Sequence, residues 1–100
     1  MIPARDELLL TIDEAQWNWL RSHLERGGLI LVSDSLDLAD AAHKVASDDT
    51  DTIESWIQDG KISKPTDSQI KTWDALTDKK FSMLIIRPYI LIQERLPTTH

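Results

Sequence analysis

Four polar side chains are candidates for chemistry because the chain brackets them with apolar runs. Asp34 and Asp37 follow Leu29-Ile30-Leu31-Val32, and Gln93 and Glu94 follow Tyr89-Ile90-Leu91-Ile92. If these runs are neighbouring parallel strands, their C-terminal ends coincide, and open α/β sheets bind ligands at such ends. Carboxylate and amide oxygens grouped there suit a small polar ligand or a hard divalent cation such as Mg²⁺ or Ca²⁺. The plainer reading makes Asp34 and Asp37 turn and helix-start residues and lets Gln93-Glu94 end a strand. Asp34, Asp37, Gln93 and Glu94 are the candidate ligand-binding set, with no catalytic residue, resident metal or cofactor assigned.

Other constellations point to structure rather than chemistry. Asp48-Asp49-x-Asp51 lacks the glycine and glutamate register of a calcium-binding EF-hand loop, and its Asp and Thr neighbours read as helix caps. His23 and His43 have no partner at metal-ligand spacing, and with no cysteine in the chain a zinc site lacks its usual donors. No glycine-rich phosphate loop and no Gly-x-Ser-x-Gly elbow occurs. Lys79-Lys80 with Arg87 reads as a solvated turn.

The overall charge narrows the partner classes. The net charge is −6 over 100 residues, and residues 1–50 carry the whole excess, with four Lys/Arg against ten Asp/Glu. Such a field repels phosphate backbones, so nucleic acid is not an expected partner. The longest apolar runs, Met83 to Ile86 and Tyr89 to Ile92, fall far short of the ~20 residues needed to span a bilayer. Neither a membrane partner nor a secretory signal is expected, since acids occupy the first residues where a basic and then apolar stretch is needed. The lack of cysteine fits a cytoplasmic location.

These candidate residues must be positioned by a mixed set of elements. An unbroken stretch from Arg5 to Arg26, with apolar residues at Leu8, Leu9, Ile12, Ala15, Trp19, Leu20 and Leu24, reads as a helix ended by Gly27-Gly28. Thr11 and Glu14 have capping-box spacing, which leaves open a break and restart. Leu29–Val32 reads as a buried strand. Helices follow over about 36–46, with Leu38, Ala42 and Val45 inward, and over about 51–59, with Ile53, Trp56 and Ile57 inward and Gly60 closing. Thr66-x-x-Gln69 opens a fourth helix that buries Ile70, Trp73 and Leu76. Phe81–Ile86 and Tyr89–Ile92 are strand-like, separated by Arg87-Pro88, and form two strands or one bent one. The expected fold is α+β, about four helices packed on a two- or three-stranded sheet, in one domain over residues 1–95 with a disordered tail at 96–100.

The ordered series Trp17-x-x-Leu20, Arg26-Gly27, Leu36-Asp37-Leu38, Ala46-Ser47-Asp48-Asp49, Trp56, Gln69, Trp73 and Pro88-Tyr89-Ile90-Leu91-Ile92-Gln93-Glu94 resembles the bacterial domain-of-unknown-function family 2288. Tyr89 stands where tryptophan is expected, and His23-Leu24 where aromatics are. The resemblance implies a small bacterial cytoplasmic protein and brings no catalytic residues with it.

Apolar surface suggests a partner. On a continuous first helix the apolar arc would span roughly 220°, about twice what a core-facing helix needs. Trp17 and Trp19, two residues apart, cannot share a helix face. One of them should lie at an edge, and Trp17, Trp19, Leu10 and Leu24 are the candidate interface residues. The expectation is a non-enzymatic module that binds a second copy of itself or another protein, with the acidic strand-end site as the alternative.

Overall fold

The computed structural model describes residues 5–24, 28–76, 79–87 and 89–94. The expected tail at 96–100, Gly27 and Pro88 lie outside the described residues.

The elements are α1 (Arg5–Leu9), β1 (Asp13–Gln16), α2 (Trp17–Arg21), β2 (Leu29–Val32), α3 (Leu38–Ala46), α4 (Thr50–Gln58), β3 (Ile62–Ser63), α5 (Asp67–Asp74), β4 (Lys80–Ile86) and β5 (Tyr89–Glu94). The strands form one mixed sheet in the order β1-β4-β5-β2-β3. β2 runs parallel to β5, while the β1–β4, β4–β5 and β2–β3 pairs are antiparallel. The α+β class holds, with five described helices and five strands in place of the expected four and two or three.

The opening segment departs most from expectation. Instead of one helix, or two joined by a capping box, it forms a short helix, an edge strand and a second short helix. The Thr11 hydroxyl donates backwards to the Leu8 carbonyl at 2.8 Å, closing α1, and Glu14 lies in β1 paired with Ser82. Only Ala15 of Asp13-Glu14-Ala15-Gln16 is buried, so this strand carries no apolar alternation to reveal it.

Strand pleating sends alternate residues to opposite faces, and both faces are covered. On one, Val32, Ile62, Leu84 and Leu91 pack with Leu8, Leu38, Ala41 and Ala42 beneath α1 and α3. On the other, Leu29, Leu31, Phe81 and Ile92 pack with Trp17, Leu20 and Trp73 from α2 and α5. The small residues at positions 39, 41 and 42 let α3 lie close to the sheet, each at most 1% exposed.

Local chemistry fixes the ends of the helices. Asp37 caps α3 by accepting from the Ala39 and Asp40 amides, Asp49 caps α4 from the Thr52 amide, and Thr66 with Gln69 forms the reciprocal capping box of α5. α4 ends in a Schellman motif: Gly60, at φ 75°, donates to the Ile57 carbonyl and Lys61 to that of Trp56. Two expected core residues are outside it. Ile57 lies near the end of α4 and Leu76 beyond the last turn of α5, and both are exposed.

Candidate functional site

The parallel pairing of β2 and β5 does bring the strand ends together, but the four candidate residues do not form one cluster there. Gln93 and Glu94 are adjacent on a strand and therefore face opposite ways. The Gln93 amide donates to the Ser33 carbonyl at 2.8 Å and the Leu36 carbonyl at 2.6 Å, tying down the loop between β2 and α3. Asp37 serves as the α3 cap. Glu94, on the other face, accepts from the Trp73 indole at 3.3 Å and pairs with Lys79 at 3.0 Å.

Asp34 and Glu94 do share the wall of a cleft of about 250 Å³ with Ser33, Ser63 and Gln69. Of its two carboxylates, Glu94 is already paired with Lys79. Among the described residues no three His, Asp or Glu side chains are grouped to hold a metal ion. Asp37, Gln93 and Glu94 thus hold the fold together, and Asp34 and Glu94 line a small polar cleft.

The interface candidates also divide. Trp17 is 3% exposed and belongs to the core, where its ring meets Trp73 and Phe81. Leu24 is partly buried against the same cluster. Trp19 is half-exposed beside His23, with ring centroids 4.6 Å apart, and Leu10 is 86% exposed. The two tryptophans do part company as their spacing requires, and the outer one is Trp19.

A feature that sequence reading missed lies on β4. The β1–β4 ladder ends at Asp13 opposite Met83, while β4 continues to Ile86. Leu84, Ile85 and Ile86 pair with β5 on one side only, and no described strand lies on the other. The Trp17 amide donates to the Lys79 carbonyl at 2.9 Å, so odd-numbered residues from Lys79 on turn their main-chain groups toward β1, because bonded and non-bonded pairs alternate in an antiparallel ladder. Phe81 and Met83 find β1 there. Ile85, next in the series, presents its N–H and C=O at the open edge, and its side chain is 48% exposed. The signal was present in the sequence as a seven-residue apolar strand beside a four-residue polar one, but only the pairing register makes it readable.

The arrangement defines a mixed five-stranded sheet sandwiched by helices, with a strand edge left open near its hairpin. The chain belongs to the family described as "Protein of unknown function (DUF2288)", whose profile matches residues 3–94. It is similar to the solution structure of PA1075 from Pseudomonas aeruginosa, at 29% identity and a TM-score of 0.79 over 93% of this chain and 87% of that one. No curated protein matches it. Among the described residues no helix is long and apolar enough to cross a membrane.

Proposed function

We propose that this domain is a protein-interaction module that pairs with a second copy of itself along the open edge of β4. The observation that carries the reading is the outward-facing main chain of Ile85 within an apolar, β-branched edge. An unprotected edge is a template for strand addition, and natural edges are usually blunted by proline, inward charge or a bulge. Leu84-Ile85-Ile86 has none of these devices.

A twofold axis at Ile85 makes the pairing self-complementary. Two Ile85 residues exchange reciprocal N–H to C=O bonds, and each Leu84 lies opposite Ile86 of the other copy. The paired segment is limited to Leu84–Ile86, because Asp13 of the same copy already lies opposite Met83, and Arg87 of the second copy comes up against that Asp13. The basic and acidic side chains meet end to end, which favours this register over a shifted one. Leu10, three residues before Asp13 in the chain, is 86% exposed and adds apolar surface. A cytoplasmic location goes with this reading, supported by a chain with no cysteine.

The direct test is Ile85→Lys, which places a charge on the edge without disturbing a buried residue. Gel filtration should show later elution than the parent protein at equal concentration, with an unchanged far-ultraviolet circular dichroism spectrum. Identical elution of the two proteins would remove the edge from the interface.

A further inference from the structure

A second concave site lies on the opposite side of the sheet from the open edge, and nothing in the pairing above uses it. The end of α3, one face of α4 and strands β2 and β3 line an open cleft of about 470 Å³. Its walls are aliphatic, chiefly Ile30, Val45, Ile53, Ile57 and Ile62, and Tyr89 lies at one end. Size and lining match sites for small organic ligands, which combine an apolar body with a few placed polar groups. Ile57 and Tyr89, 56% and 41% exposed, leave apolar surface uncovered in a concave setting.

The polar groups of this cleft include one charge of each sign. Asp48 and Lys64 both line it and are exposed, and among the described residues no ion pair or side-chain hydrogen bond involves either. Asp48 is held in place by its backbone: it sits at φ 56°, its amide donates to the Val45 carbonyl and its own carbonyl accepts from Thr50. The residue next to it takes the capping role, so the Asp48 carboxylate is left over from the turn's own needs.

We propose that this cleft binds a free aliphatic α-amino acid, its ammonium group toward Asp48, its carboxylate toward Lys64 and its side chain against the isoleucines. An apolar body with both charges on one carbon is the small-molecule class that uses all three features. A monocarboxylate would leave Asp48 facing a like charge, and an alkylamine would leave Lys64 doing the same. Since the site shares no residue with the β4 edge, it stands or falls independently of self-association.

The test is an NMR titration of isoleucine methyl-labelled protein with three probes of one apolar shape: L-leucine, 4-methylpentanoate and 3-methylbutylamine. L-leucine should shift the Ile53, Ile57 and Ile62 methyls saturably, with an affinity of about 1 mM, on the scale of one buried leucine side chain together with two ion contacts. It should bind about two- to five-fold more tightly than either analogue, each of which lacks one partly exposed ion contact. Asp48→Asn should erase its advantage over 4-methylpentanoate, and Lys64→Gln its advantage over 3-methylbutylamine. Absence of saturable shifts up to about 20 mM L-leucine, well above that expected affinity, would overturn the proposal. So would equal binding of the three probes, or unchanged L-leucine affinity in both variants.

Discussion

The indole of Trp17 meets that of Trp73 edge to face, with centroids 4.8 Å apart and planes at 64°. Phe81 completes the group, 4.9 Å from Trp73 and nearly perpendicular to it. Each indole N–H points out of this apolar knot to a carboxylate at its rim, Trp17 to Asp74 at 2.8 Å and Trp73 to Glu94 at 3.3 Å. Arg21 and Lys79 neutralise those carboxylates from outside. One cluster thereby joins α2, α5, β4 and β5, and both buried indoles keep a hydrogen-bond partner, as buried tryptophans need.

Trp17→Ala should be among the most damaging single changes. It removes a fully packed aromatic ring, which costs about 3–5 kcal/mol, and urea unfolding should show that loss. Trp17→Phe keeps most of the packing and the Arg21 partner of Asp74 while removing the indole donor, and should lower the urea midpoint far less than Trp17→Ala.

Acid should destabilise the fold through Asp74 and Asp49. The Trp17 indole, then Arg21, holds the Asp74 carboxyl below the usual carboxylate range. The Thr52 amide and hydroxyl, then Lys44, do the same for Asp49. With folded-state values below unfolded ones, the unfolded chain takes up protons first as pH falls. Their stabilisation is complete above the unfolded carboxylate range and disappears as pH drops through the folded values. Urea midpoints should be flat near neutrality and decline below about pH 4. Asp74→Asn should lower the neutral midpoint and make the acid decline shallower.

Gln93 should behave as a structural residue. Gln93→Ala strips the Ser33 and Leu36 carbonyls of their shared donor and should cost about 1–3 kcal/mol, with faster amide exchange in the loop between β2 and α3. Asp34→Ala, an exposed position with no capping role, should stay within about 0.5 kcal/mol of the parent.

Gly60→Ala tests the Schellman turn. A Cβ there meets no atom within 4 Å, so the cost comes from the positive φ alone. It should be about 1–2 kcal/mol, the penalty for an L-residue in the left-handed region, read from thermal or urea unfolding.

Much of this architecture can be read from local chemistry. The capping box at Thr66, the cap cluster at 48–51, Gly60 and the strand runs at 29–32 and 81–92 announce their roles through residue type, and they occur where expected. The sequence leaves parallel or antiparallel pairing of β2 with β5 open, and the backbone register is parallel. β1 escaped because an edge strand with a single buried alanine has no alternation, and the helix-forming residues around it complete a false 3.6-residue pattern. The structural role of Gln93 is hidden for a related reason. A glutamine at a strand end looks like ligand chemistry until the loop carbonyls it serves are seen. The open edge at Ile85 depends on where two strands stop relative to each other, and that relation is encoded in pairing rather than in any one segment.

The most direct measurement is the mass of the unmodified protein by sedimentation equilibrium over a concentration series reaching tens of micromolar, a range that detects micromolar self-association. Pairing through β4 requires the apparent mass to climb from the 11.4 kDa of one chain toward twice that value, and to remain at one chain for Ile85→Lys. A mass of 11.4 kDa for the parent protein throughout the series would contradict the pairing.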